Sequence, residues 1–135
     1  MFRRKMLEIG AMIALGIDYA AAYVTAYVWH ANDSELIIHI LIVFVFSLLY
    51  GALIVDLEKT IFYTMGSIVI GASLAIVAIV APSLTLTGNI ELLNFDITVA
   101  LHFVGRFLII GITFIIVGAI IGCFIGDAMS EQSEI

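Results

Sequence analysis

Four apolar stretches, each about as long as a bilayer is thick, occupy most of this chain. They run near residues 6–29, 36–55, 61–81 and 97–125. About 20 apolar residues cross the hydrocarbon core as a helix, and backbone groups inside lipid must be satisfied within the helix itself. The sequence therefore predicts an all-α fold, a four-helix transmembrane bundle that forms one domain over residues 1–135 and has the lipid bilayer as its surroundings.

Composition supports the same class and excludes others. Hydrophobic residues make up 64% of the chain and charged residues 12%, whereas soluble proteins carry about 25% charged residues. A soluble fold of this length has no interior large enough for so much apolar surface. The single cysteine, Cys123, excludes a disulfide framework, and five Lys and Arg residues leave no basic surface for nucleic acid.

The third link between the apolar stretches is the longest, covering residues 82–96. Pro82 predicts the end of the third helix, and Thr87, Gly88 and Asn89 predict a turn. The segment 90–95 is expected to lie on the membrane surface.

Basic residues predict the orientation. Arg3, Arg4 and Lys5 precede the first span and Lys59 follows the second, whereas the first and third links contain no Lys or Arg. Because basic residues near spans stay in the cytoplasm, both termini are predicted to be cytoplasmic, in a multi-pass protein of the plasma membrane.

Two opposite charges lie inside the predicted spans. Asp18 is eleven residues before Trp29, and Arg106 is nine residues after Ile97. At the rise of a helix these positions are about 16 Å and about 13 Å from the outer interface. A charge in the bilayer is costly unless paired, so the sequence predicts an intramembrane ion pair, Asp18–Arg106. A proton or ion site at Asp18 is the alternative.

The first span also has two stripes at helical spacing. One holds small residues that admit a close helix partner, and the other holds tyrosines typical of an interface or a packing surface. The small-residue stripe is Ala11, Ala14, Asp18, Ala21 or Ala22, and Thr25; the tyrosine stripe is Tyr19, Tyr23 and Tyr27.

Two histidines fall near the outer ends of the second and fourth spans. His39 and His102 are both expected about 6–8 Å below the outer surface. Buried polar groups need hydrogen-bond partners, so a packing role is favoured. Neutral imidazoles at equal depth are also candidate ligands for a metal ion or a haem iron.

Glycines mark a helix contact in the last span. Gly118, Gly122 and Gly126 form two overlapping GxxxG steps, which let another helix approach closely, from this chain or another subunit. The third span has a matching smooth face, formed by Ser67, Gly71, Ala75 and Ala78.

These features favour a non-catalytic accessory or structural subunit of a larger membrane complex, partnered by other membrane subunits or by further copies of itself. One alternative is a small oligomeric transporter or channel that uses Asp18. The other is a redox subunit that binds haem or a metal through His39 and His102. No phosphate loop, zinc-protease motif or nucleophile elbow is visible, and the sequence requires no cofactor.

Overall fold

The computed structural model describes residues 2–28, 33–86 and 90–132, all of which except Val55 and Asp56 lie in four α-helices. The helices are α1 (Phe2–Val28), α2 (Asp33–Ile54), α3 (Leu57–Leu86) and α4 (Ile90–Gln132). All four are long and apolar enough to cross a bilayer. The prediction of an all-α chain with four such helices is confirmed.

The predicted helix end at Pro82 is wrong, because Pro82 lies inside α3. Proline removes a backbone donor and displaces a carbonyl group one turn earlier. The carbonyl group that Pro82 affects is therefore that of Ala78. The nearby Thr85 hydroxyl donates to a different carbonyl oxygen, that of Ala81, at 3.0 Å.

The segment 90–95 is the beginning of α4 rather than a separate surface helix. Ser83 on α3 donates a hydrogen bond to Asp96 on α4, which joins the two helices here. We call this end of the bundle the Ser83 end. The predicted turn at Thr87, Gly88 and Asn89 lies outside the described residues.

The bundle consists of two parallel helix pairs. The most extensive contacts are between α2 and α4 and then between α1 and α3, whereas α1 and α4 touch least. In the α1–α3 pair, a Cβ on Gly71 would lie 2.9 Å from the Gly16 carbonyl oxygen. The Ser67 hydroxyl also donates to the Met12 carbonyl oxygen at 3.0 Å. Residues of α1 therefore lie beside α3 residues about 55 positions later.

A tight turn joins α2 to α3 at the opposite end, which we call the Lys59 end. Val55 has a φ of 60°, a left-handed conformation that disfavours β-branched residues. Asp56 caps α3, because its Oδ1 accepts the Lys59 backbone N–H at 3.2 Å. This hydrogen bond, followed by the charge of the Lys59 ammonium, lowers the pKa of Asp56 below its usual value.

Candidate functional site

The glycine groove of α4 is filled by α2 of the same chain. A Cβ on Gly118 would lie 2.8 Å from the Phe44 carbonyl oxygen, and a Cβ on Gly122 would clash with that of Leu48. Gly126 meets Ala52 in the same way. Because the groove is occupied within the chain, it is not open to another subunit.

The smooth face of α3 has a different partner. Ser67 and Gly71 contact α1, through Met12 and Tyr19 respectively, and not the glycines of α4. Ala78, further along the same stripe, is exposed.

The predicted Asp18–Arg106 pair joins α1 to α4, the two helices that contact each other least. Asp18 is half-buried and Arg106 is exposed. Tyr23 and Tyr27 are the α1 residues whose rings contact α4, and Asp18 lies about 140° and about 180° around the helix from them.

Their levels differ as well. The ring of Tyr23 meets that of Phe107, with centroids 4.4 Å apart, and α1 and α4 run in opposite directions. Arg106 is therefore level with about residue 24 of α1, which is about 9 Å from Asp18 along the axis. The Asp18–Arg106 pair stays a prediction that this arrangement does not favour.

The small-residue stripe of α1 faces outward. Ala14, Ala21 and Thr25 are exposed, with Asp18 at the edge, while Ala22 is buried. In this chain, the stripe leaves a smooth strip on the bundle surface with one acidic side chain beside it.

The two histidines lie at different levels. In the parallel α2–α4 pair, Phe44 is opposite Gly118 and Leu48 is opposite Gly122, an offset of 74 residues. His39 is therefore level with about residue 113, eleven residues or about 16 Å from His102. Among the described residues, no three His, Cys, Asp or Glu side chains are grouped to hold a metal ion. Shared ligation by His39 and His102 stays a prediction.

The tyrosine stripe of α1 points into the bundle. Tyr19 and Tyr23 are fully buried, and the Tyr19 hydroxyl is 2.6 Å from the Ser47 hydroxyl of α2. Ser47 in turn donates to the Val43 carbonyl oxygen at 2.8 Å. The Tyr23 hydroxyl is buried without a hydrogen-bond partner in the part of the chain that the structure describes.

A carboxylate that the sequence analysis missed lies on the same face of α1. Glu8 is only 8% exposed. Its Oε2 accepts a hydrogen bond from the Tyr63 hydroxyl at 3.4 Å, and its Oε1 is 3.8 Å from the Lys59 ammonium. Eleven residues separate Glu8 from Tyr19, which is about 20° around the helix. This spacing could have predicted from the sequence that Glu8 shares the buried face of Tyr19.

Polar side chains continue from Glu8 towards the middle of the bundle. Tyr50 lies three residues after Ser47 on the same face of α2, and Tyr23 lies four residues after Tyr19 on the same face of α1; all four side chains are buried. We call this set the polar column; it comprises Glu8, Tyr63, Tyr50, Tyr19, Ser47 and Tyr23.

Three further hydroxyls near the Lys59 end are buried without a hydrogen-bond partner among the described residues. They belong to Tyr50, Thr60 and Thr64, which are 4%, 0% and 0% exposed. Buried polar atoms are nearly always satisfied, by protein, water or an ion, so this end of the bundle has spare hydrogen-bonding capacity.

A cavity adjoins the polar column at the Lys59 end. It has a volume of about 270 Å³ and is lined by Leu7, Glu8, Ala11, Leu53 and Ile54. The walls come from α1 and α2 and are apolar except for the Glu8 carboxylate. A second, more open groove lies on the outer surface of α4, between Leu101 and Ile110, and includes His102 and Arg106.

Comparison with known proteins found no family model, curated sequence or solved structure that matches this chain.

Proposed function

We propose that this chain is a small multi-pass membrane transporter, or a subunit of one, that moves small cations, protons included, along the polar column. The polar column itself carries the proposal. It replaces Asp18 with Glu8 as the acidic residue of the transport hypothesis.

The argument rests on the cost of polar groups in a membrane protein. Buried hydroxyls and a buried carboxylate add little to the stability of a helix bundle in lipid. Ionisable groups in membrane-spanning segments commonly mark ion or proton pathways. Glu8 supplies a carboxylate at one end, while the buried Tyr50 and Tyr23 hydroxyls have no hydrogen-bond partner in the described part of the chain. A cation or a chain of water molecules satisfies these groups.

The orientation of this pathway follows from the basic residues. Four basic residues lie where α1 and α3 begin, which is the Lys59 end of the bundle: Arg3, Arg4, Lys5 and Lys59. We propose that this end and both termini face the cytoplasm, in the plasma membrane. Glu8 is then accessible first from the cytoplasmic side.

Labelling tests the orientation. Single cysteines at Ser34 and Ser133, introduced into a Cys123→Ser background, should react with a membrane-impermeant reagent from opposite sides. Reaction of both from the same side overturns the proposed topology.

Reconstitution into liposomes tests the transport. Imposed gradients of H⁺, Na⁺ and K⁺ should drive a flux that Glu8→Gln reduces about tenfold or more, because a neutral amide no longer attracts a cation. Asp18→Asn is the matched control and should leave the flux unchanged. Equal flux through wild type and a folded Glu8→Gln protein overturns the proposal.

The outward stripe of α1 favours a second function, that of an accessory subunit of a larger membrane complex or a homo-oligomer. Ala14, Ala21 and Thr25 form an exposed small-residue face, the kind of surface on which membrane helices associate. Here Asp18 is a hydrogen-bonding group for the partner helix.

Purification in mild detergent tests this second function. Ala21→Leu should release co-purifying subunits or convert an oligomer to monomer. Ala78→Leu makes the same change on the exposed surface of α3 and serves as the control. An unchanged assembly in Ala21→Leu excludes the stripe as an interface.

A further inference from the structure

We propose that the cavity beside Glu8 binds a monovalent organic cation with apolar substituents, and that this cation displaces the Lys59 ammonium from the Glu8 carboxylate. The inference rests on the proposed function in treating the polar column as a cation route, and it names the class of cation.

The cavity walls determine that class. Leu7, Ala11, Leu53 and Ile54 present hydrocarbon to the cavity, and Glu8 presents the charge. A bare metal ion of the alkali or alkaline-earth type needs several oxygen ligands, which these walls do not supply. The volume of about 270 Å³ is close to the lower end of small-molecule pockets, about 300–1,000 Å³, and far above that of one water, about 30 Å³. An alkylammonium ion matches both the size and the chemistry.

Charge selects a cation. A buried carboxylate is stable only when it is paired or hydrogen-bonded, and Glu8 is 8% exposed. The buried Tyr50 hydroxyl, 4% exposed and without a hydrogen-bond partner among the described residues, lies one helical turn before Ile54 of the cavity wall. It is an independent sign that the Glu8 environment accommodates another polar or charged group.

The Lys59 ammonium lies between two carboxylates, so it can leave Glu8 and remain paired with Asp56. It is 3.8 Å from Glu8 Oε1 and 3.6 Å from Asp56 Oδ2, and the Lys59 side chain is 48% exposed. When the ammonium moves wholly to Asp56, the incoming cation takes its place as the partner of the buried Glu8 carboxylate, so that charge is not left unpaired. A cation that enters the cavity can therefore replace Lys59 beside Glu8 while Lys59 keeps a carboxylate partner.

Calorimetric titration of the detergent-solubilised full chain with tetraethylammonium tests the inference. Wild type should bind saturably, and Glu8→Gln should weaken binding about tenfold or more, since the charge-assisted contact is lost. Lys59→Gln should strengthen binding about twofold or more, because it removes the half-exposed ammonium that competes for Glu8. Asp18→Asn should bind like wild type.

The Lys59→Gln variant keeps the test decisive if Glu8→Gln does not fold, because tighter binding cannot arise from misfolding. Absence of binding in both wild type and Lys59→Gln overturns the inference, as does unchanged binding in a folded Glu8→Gln protein. Binding of tetraethylammonium without any flux of H⁺, Na⁺, K⁺ or tetraethylammonium in liposomes supports the cavity and contradicts the transport proposal. Proton or Na⁺ flux without tetraethylammonium binding supports transport and overturns the organic-cation site.

Discussion

Gly122 on α4 lies directly against the main-chain carbonyl group of Leu48 on α2. There is no space for a Cβ between them, and Gly118 and Gly126 repeat this relationship one turn to either side. Gly51 on α2 meets the backbone of Ala119 reciprocally. The two backbones are therefore in contact over about two and a half turns of helix. Such close contact maximises dispersion interactions where lipid provides no hydrophobic driving force.

Replacing Gly122 with alanine should destabilise the isolated chain. The added methyl group collides with a carbonyl group of α2, and overpacking of this kind typically costs about 1–3 kcal/mol. The measurement is the free energy of unfolding in detergent. Gly105→Ala is the matched control on the same helix, because a Cβ there meets nothing within 4 Å. Equal effects of the two substitutions would contradict the backbone contact.

Val55→Gly should stabilise the protein. Val55 is held at a φ of 60°, which costs an L-residue about 1–2 kcal/mol, and glycine avoids most of this cost. We expect the free energy of unfolding to rise by about 1 kcal/mol. Val77→Gly is the control, because it makes the same change at an exposed position in the regular part of α3. It should lower the free energy of unfolding by about 0.5 kcal/mol. A destabilising Val55→Gly would show that Val55 is not strained.

Asp56 should make stability depend on pH at acidic values. The pKa of Asp56 in the folded protein is lowered from 3.8 by the Lys59 backbone N–H and then by the Lys59 charge. Its contribution is therefore fully present above the unfolded value and is lost as the pH falls below 3.8 through the folded value. Thermal unfolding between pH 5 and pH 2 measures it. Asp56→Asn still caps α3 but does not titrate, so the pH dependence should be flatter; an unchanged profile would assign it to other carboxylates.

A double-mutant cycle tests the predicted pair of Asp18 and Arg106. The positions of the two residues lead us to expect that Asp18→Asn and Arg106→Gln have additive effects on the free energy of unfolding, within about 0.5 kcal/mol. A true ion pair in lipid would behave differently, because removing one partner leaves an uncompensated charge and removing both restores stability. Recovery in the double variant would therefore restore the pairing prediction.

The number of helices could be predicted from the sequence, because bilayer thickness sets a length that apolar stretches must match. The helix that fills the glycine groove could not be predicted from the sequence. Gly118, Gly122 and Gly126 identify a surface that accepts a helix backbone, but α1, α2, α3 and a second subunit all offer one. Only the packing of the complete bundle selects Phe44 to Ala52 of α2.

The charged residues were harder to interpret for a different reason. Depth along a span can be counted from the sequence, but rotation about the helix axis relative to a neighbour cannot. Asp18 is deep in its span and so carried the functional hypothesis, while Glu8, near the start of the first span, was given no role. The structure reverses their burial, since Glu8 is buried and Asp18 lies at the edge.

The parallel pairing of α2 with α4 has a consequence for biosynthesis. A ribosome makes the helices in chain order, so α2 is complete two helices before the surface that covers it. Until α4 follows, the close-contact strip of α2 around Leu48 and Gly51 lacks the α4 backbone that packs on it. Completion of the bundle therefore depends on its last helix, and loss of α4 during synthesis removes the partner of α2 as well as one span.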